Sequence, residues 1–222
     1  MDVKKILAAC DHTLLSRTAS LEDIKRLIDE GIEYSVASVC IPPCYVKAAS
    51  EYSAGRLAVC TVIGFPNGYS TSGVKAAEAF QAVLDGADEI DMVINVAALK
   101  SGDSEGVLRE INAVKAAVGD KILKVIVETC LLTQEEKIEA CRVVSASDAD
   151  FIKTSTGFST GGATKEDIAL FARYMTGGKR IKAAGGIASL ADAEDFLRLG
   201  ASRLGTSRIV KLARAESATE GY

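Results

Sequence analysis

Residues 122–157 read "ILKVIVETCLLTQEEKIEACRVVSASDADFIKTSTG". The segment holds two apolar runs of strand length, "ILKVIVE" (122–128) and "DFIKTS" (150–155). Between them lies an amphipathic stretch whose start is marked by Thr133, a good helix cap. Strand, helix, strand in that order predicts a crossover connection and therefore a parallel pair. One detail resists a plain core reading. Lys124 and Lys153 sit at the centres of the two strands, where a strand buried on both faces takes Val or Ile.

The same unit recurs on either side. Further strand-length runs are "SVASVC" (35–40), "LAVCTVI" (57–63), "EIDMVI" (89–94), "RIKAAG" (180–185) and "SRLGTS" (202–207). "DHTLL" (11–15), after a short first helix, completes a set of eight. Helix starts are signalled by Ser20, Thr164 and Ser189, each followed three residues on by an aspartate: Asp23, Asp167 and Asp192. Stops are signalled by Gly31, Gly86, Gly177 and Gly200. No linker or low-complexity segment divides the chain, so one domain over 1–222 is expected, with 216–222 as a mobile tail.

Two parallel-sheet architectures compete. An open doubly wound sheet calls for G-x-G-x-x-G after its first strand, which is absent. A Walker loop is absent too, because Gly177-Gly178-Lys179 runs into Arg180. Eight strands with polar residues towards their C-terminal ends predict an α/β fold of the closed kind, a single-domain (β/α)8 TIM barrel with a short N-terminal helix.

Composition narrows the partners. The net charge is −4 and no basic run stands out, so nucleic acid is not expected. No stretch reaches the roughly 20 apolar residues of a membrane helix. The start "MDVKKILAACDHTLL" does not read as a secretion signal, and a cytoplasmic protein is expected. Six cysteines are scattered through apolar patterns and read as buried thiols rather than a disulfide framework. Only Cys40 and Cys44 lie close together, and the sole histidine, His12, reads as structural, so no metal site is expected.

Four ionisable residues occupy strand interiors: Asp91, Lys124, Lys153 and Lys182. On the barrel count they fall on strands four to seven, which are neighbours about 4.8 Å apart. Charges on four successive strands argue for an inward-facing functional cluster, because buried charges are paired or functional. Two amines and a carboxylate suit Schiff-base chemistry. A neutral amine attacks a carbonyl, and the protonated imine then serves as an electron sink. Lowering an amine from about 10.4 to about 7 to 8 costs roughly 4 kcal/mol, which burial plus one neighbouring cation can supply. Lys153 is thus the expected nucleophile, Lys182 the cation that tunes it by repulsion, and Asp91 the proton shuttle. Glu128, at the end of strand five, is left open between polar lining and support.

Glycines supply the second signal. Gly185-Gly186 follows strand seven and Gly205-Thr206-Ser207 ends strand eight, where barrels place phosphate sites. "STGFSTGGAT" (155–164) is a third glycine-rich loop, placed to close over a substrate. On the residues alone, an imine-forming aldolase, a phosphosugar isomerase or lyase, and a non-catalytic phosphosugar binder all remain open.

The segments "DHTLL", "TVIGFPNG", "EIDMVINVAALKSGD", "LKVIVET", "ADFIKTSTGFSTGGAT", "IKAAGGI" and "RLGTSRIV" together resemble the deoxyribose-phosphate aldolases, along nearly the whole chain. The resemblance implies a class I, cofactor-free and metal-free aldolase that reversibly cleaves 2-deoxy-D-ribose 5-phosphate to D-glyceraldehyde 3-phosphate and acetaldehyde. It implies small phosphosugar and aldehyde substrates and a homo-oligomer, dimer or tetramer. Matched motif by motif, Lys153 is the Schiff-base residue, Lys182 its perturbing neighbour, Asp91 the proton donor and acceptor, and Lys124 a member of the polar network. Phosphate binding maps onto Gly157, Gly185, Gly186, Gly205 and Ser207. The C-terminal Tyr222 corresponds to a tyrosine that assists proton transfer. In four places the chain departs from the pattern. Ala188 stands for an arginine near the phosphate, Arg208 for a small residue, Pro42 for Asn, and Ala97 for Gly. Arg208 is expected to restore the lost positive charge.

Overall fold

The computed structural model describes residues 2–219. Its eight strands are β1 (Cys10–Thr13), β2 (Ser38–Ile41), β3 (Ala58–Ile63), β4 (Glu89–Val93), β5 (Ile122–Ile126), β6 (Phe151–Lys153), β7 (Arg180–Ala184) and β8 (Arg203–Thr206). All pair in parallel in sequence order, and β8 returns to β1, closing the barrel.

The helices are α1 (Val3–Leu7), α2 (Leu21–Glu33), α3 (Val46–Ser53), α4 (Ser72–Leu84), α5 (Val96–Lys100), α6 (Ser104–Val118), α7 (Gln134–Ala146), α8 (Lys165–Tyr174), α9 (Leu190–Arg198) and α10 (Ile209–Thr219). The expected caps form. Ser20–Asp23, Thr133–Glu136 and Ser189–Asp192 are reciprocal capping boxes, and Thr164 accepts from the Asp167 N–H. Each such cap stabilises its helix by roughly 1 kcal/mol.

Alternation along the strands separates two environments. Val39, Val59, Ile90, Met92, Leu123, Val125, Ile152, Ile181, Ala183 and Leu204 face the helices and form the main core. The intervening positions point into the barrel: Asp11, Glu89, Asp91, Lys124, Lys153 and Lys182 are buried there as charged side chains, beside a small apolar cluster of Cys40, Cys60 and Val62. The charges that interrupt the apolar runs therefore fill the lumen, and the period-2 pattern is that of a barrel with a charged interior.

Some boundaries differ from expectation. Gly31 does not stop α2, which runs on to Glu33. It is instead a close-packing position, since a Cβ there would lie 2.5 Å from Leu57. Strand β2 begins at Ser38, because Ser35 turns the chain with a φ of 52°. Strand β6 ends at Lys153, and the polar run after it opens into the loop at the barrel mouth. Residues 216–219 of the expected tail continue α10, and Tyr222 lies outside the described residues. No helix is long and apolar enough to cross a membrane.

Candidate active site

Register brings the lysines together. Lys153 stands opposite Lys182 across β6 and β7, and Asp91 stands opposite Lys124 across β4 and β5. Lys153 Nζ and Lys182 Nζ each donate to the same atom, Asp91 Oδ2, at 2.6 Å. The two nitrogens can thus be no farther apart than twice that distance. Lys124 Nζ donates to Asp91 Oδ1 at 2.8 Å, so one carboxylate holds three amines.

The electrostatics follow from this sharing. Burial opposes ionisation of Asp91, but Lys124, Lys153 and Lys182 more than offset it and hold its carboxyl well below the usual range. Burial likewise opposes charge on Lys182, yet Asp11 and Asp91 outweigh it and raise its amine above the ordinary lysine value. Lys124 is raised in the same way, by Asp91 against the pull of burial. Asp11 and Asp91 thus favour the charged form of Lys182, and a carboxylate oxygen stands between its nitrogen and that of Lys153.

Beneath this layer lies a second one that sequence reading missed. Asp11 is fully buried, pairs with Lys182, and accepts from Arg203 Nη1 at 2.6 Å and Ser38 Oγ at 2.8 Å. Glu89 Oε2 lies 2.6 Å from Lys124 Nζ, and Arg203 also donates to Glu89. The Cys60 thiol donates to Asp91 Oδ1 at 3.3 Å and accepts from Lys124 at 3.2 Å. The Phe151 ring lies under Arg203 and Arg180, whose guanidinium carbons are 5.6 Å and 4.0 Å from its centre, closing the floor. Asp11 and Glu89 open the runs "DHTLL" and "EIDMVI" and Arg203 stands second in "SRLGTS", so none of the three stands out as a charge in a strand interior.

At the C-terminal mouth lies a cavity of about 490 Å³. Lys153 lines it together with Gly157, Gly185, Gly186, Gly205, Ser207, Arg208 and Ala188. The structure thus brings every described phosphate-site residue beside Lys153, whereas Lys124, Lys182 and Asp91 lie behind it. Gly185 and Gly186 have φ of 74° each. A Cβ on Gly162 would fall 2.4 Å from the Gly185 carbonyl carbon, so the 155–164 loop packs backbone on backbone against the β7 exit. That leaves a wall built from peptide groups, suited to an anion.

Of the remaining expectations, His12 points outward and its Nε2 lies 2.9 Å from Glu30 Oε2, a structural contact. Cys40 is buried and Cys44 exposed, and both are free thiols. The arrangement can hold a carbonyl at Lys153, an anionic group at the glycines, and a proton relay behind both.

A barrel with these parts is of the class that forms an imine on a lysine at its mouth. A family model described as "DeoC/LacD family aldolase" matches residues 5–201, and the chain belongs to that family. It is 59% identical over 221 residues to a deoxyribose-phosphate aldolase of Streptococcus agalactiae, covering 100% of this chain and 99% of the relative. A deoxyribose-phosphate aldolase of Streptococcus pyogenes is 59% identical over 223 residues, with both chains fully covered. Among solved structures, the deoxyribose phosphate aldolase of Aeropyrum pernix, described as tetrameric, superposes with a TM-score of 0.88. It shares 30% identity, over 98% of this chain and 93% of that one.

Proposed function

We propose that this chain is a class I aldolase that reversibly cleaves 2-deoxy-D-ribose 5-phosphate to D-glyceraldehyde 3-phosphate and acetaldehyde, with Lys153 as the imine-forming residue. The observation that carries the assignment of roles is the single oxygen of Asp91 shared by Lys153 and Lys182, directly behind a glycine-walled cavity. Lys153 is the one amine of the three that reaches the cavity. With Lys153 uncharged, three carboxylates (Asp11, Glu89, Asp91) face three cations (Lys124, Lys182, Arg203), and the buried cluster is balanced.

The chemistry then runs as follows. The Lys153 amine adds to C1 of the open-chain sugar, and loss of water leaves a protonated imine. Removal of the C3 hydroxyl proton lets the C2–C3 electron pair flow into the imine, giving an enamine and releasing D-glyceraldehyde 3-phosphate. Protonation at C2 and hydrolysis return acetaldehyde and the free amine. Asp91 and Lys182 relay the protons. Asp91, kept ionised by Lys124, Lys153 and Lys182 against the cost of burial, is a carboxylate able to accept the C3 hydroxyl proton beside the protonated imine. Gly157, Gly185, Gly186, Gly205 and Ser207 receive the phosphate, and Arg208 adds positive charge at the rim.

Borohydride reduction in the presence of acetaldehyde, followed by peptide mass spectrometry, tests the reading. A reduced two-carbon adduct on Lys153 is expected, and its absence there overturns the assignment. We also place the enzyme in the cytoplasm, in keeping with its six free cysteines, and as a homo-oligomer. Val74, Phe80 and Leu84, on the outward side of α4, are 50%, 55% and 65% exposed and supply an apolar surface for a second copy. Sedimentation velocity on the wild type and Phe80→Asp tests that.

A further inference from the structure

We infer that Glu128 is a positioning residue that sets the preference for phosphorylated over unphosphorylated substrate, an inference that rests on the phosphate assignment above. Glu128 follows β5 and is 3% exposed. Its φ is 56°, a left-handed backbone that costs a non-glycine residue roughly 1–2 kcal/mol. Such strain concentrates where geometry serves function.

What the strain secures is visible next door. Glu128 Oε1 accepts the Thr156 N–H at 3.1 Å, and Oε2 accepts the Thr156 hydroxyl at 2.5 Å. The same hydroxyl oxygen accepts the Phe158 N–H at 3.0 Å. A carboxylate–hydroxyl–amide chain thus spans Thr156 to Phe158, with Gly157 between them at a φ of 81°. The Phe158 ring closes edge-on against Phe65, 5.3 Å between centroids. Hydrogen bonds to a carboxylate are about twice as strong as neutral ones, so this chain is a firm anchor.

Thr156, Gly157 and Phe158 all line the cavity that holds Lys153. Glu128 and Thr156 consume the amide hydrogens of Thr156 and Phe158. Among the described residues the Gly157 N–H has no protein acceptor, so the latch presents that one amide to an anion in the cavity. Glu128 does not line this cavity; it borders a smaller adjoining one with Thr156 and Phe158, and its link to the cavity of Lys153 runs through Thr156.

The test compares kcat/KM for 2-deoxy-D-ribose 5-phosphate with that for 2-deoxy-D-ribose. Glu128→Asn keeps a residue that tolerates the left-handed backbone but is too short to reach Thr156. Thr156→Val removes the hydroxyl at constant shape, and Thr156→Ser restores it. We expect Glu128→Asn and Thr156→Val to lower the phosphorylated-to-unphosphorylated ratio at least tenfold, mainly through KM for the phosphorylated sugar, with Thr156→Ser within threefold of wild type. Acetaldehyde and borohydride must still label Lys153 in each variant. An unchanged ratio, or an equal fall for both sugars, overturns the positioning role while leaving the aldolase reading intact. A wild type that Lys153 labelling fails to mark overturns that reading and this inference together.

Discussion

Lys153 and Lys182 face one another across β6 and β7, and their Nζ atoms meet on a single oxygen of Asp91. One carboxylate oxygen thus joins the two amines and stands between them. Lys182 keeps its proton because Asp11 lies on its far side. The expected consequences can be measured.

Replacing Lys153 by Arg keeps a nitrogen donor for Asp91 but removes the nucleophile. Turnover should fall to background and the borohydride adduct should vanish, while thermal unfolding stays close to wild type. Mass spectrometry on the trapped peptide and a melting curve check both halves.

Lys182→Met should leave trapping at Lys153 slow but detectable. Its effect on kcat should lie in the range of about 10²- to 10⁴-fold that general acid–base groups contribute. Steady-state kinetics beside timed borohydride quenches separates proton relay from imine formation.

Asp91→Asn leaves three buried amines without their shared anion. Breaking such a cluster from one side destabilises by about 3–5 kcal/mol. Urea denaturation should show the unfolding free energy lowered by that amount, read as an earlier midpoint at unchanged slope, together with loss of activity.

Stability should plateau between about pH 6.5 and pH 9 and fall on either side. On the acid side, burial lowers the His12 value despite Glu30, so the unfolded chain takes up a proton first, from about pH 6.5 downward. Asp11 and Asp91, held low by their cations, add a steeper loss below about pH 4, where unfolded aspartates protonate. On the alkaline side, burial pushes the Cys10 and Cys141 thiols up to about 12 from 9.0. Their contribution is intact below the unfolded value and drains away as pH rises towards the folded one. Urea unfolding measured at intervals of pH draws the curve.

Two glycine substitutions should separate sterics from backbone strain. Gly162→Ala places a Cβ 2.4 Å from the Gly185 backbone and should displace the 155–164 loop, raising KM for the phosphorylated sugar more than tenfold. Gly157→Ala meets nothing within 4 Å and pays only for its φ of 81°, about 1–2 kcal/mol. Alongside them, Arg208→Ala should raise KM for the phosphorylated sugar only, and an unchanged KM would remove Arg208 from the site.

Much of this was written in the chain itself. Apolar runs of strand length alternating with capped helices define the barrel, because strand periodicity and capping chemistry are local. Asp91, Lys124, Lys153 and Lys182 were legible because a charge inside a strand has no local reason to be there. Three things needed the closed barrel. Arg203 begins β8, and only closure onto β1 carries it to Asp11, 192 residues away. Glu128 looked like the polar end of a strand, and its left-handed turn towards Thr156 is a tertiary fact. The register that puts one carboxylate oxygen between two lysines arises from the pairing of four strands, which no stretch of sequence contains. Local propensity sets the elements, and the relative placement of distant side chains is decided only when the ring shuts.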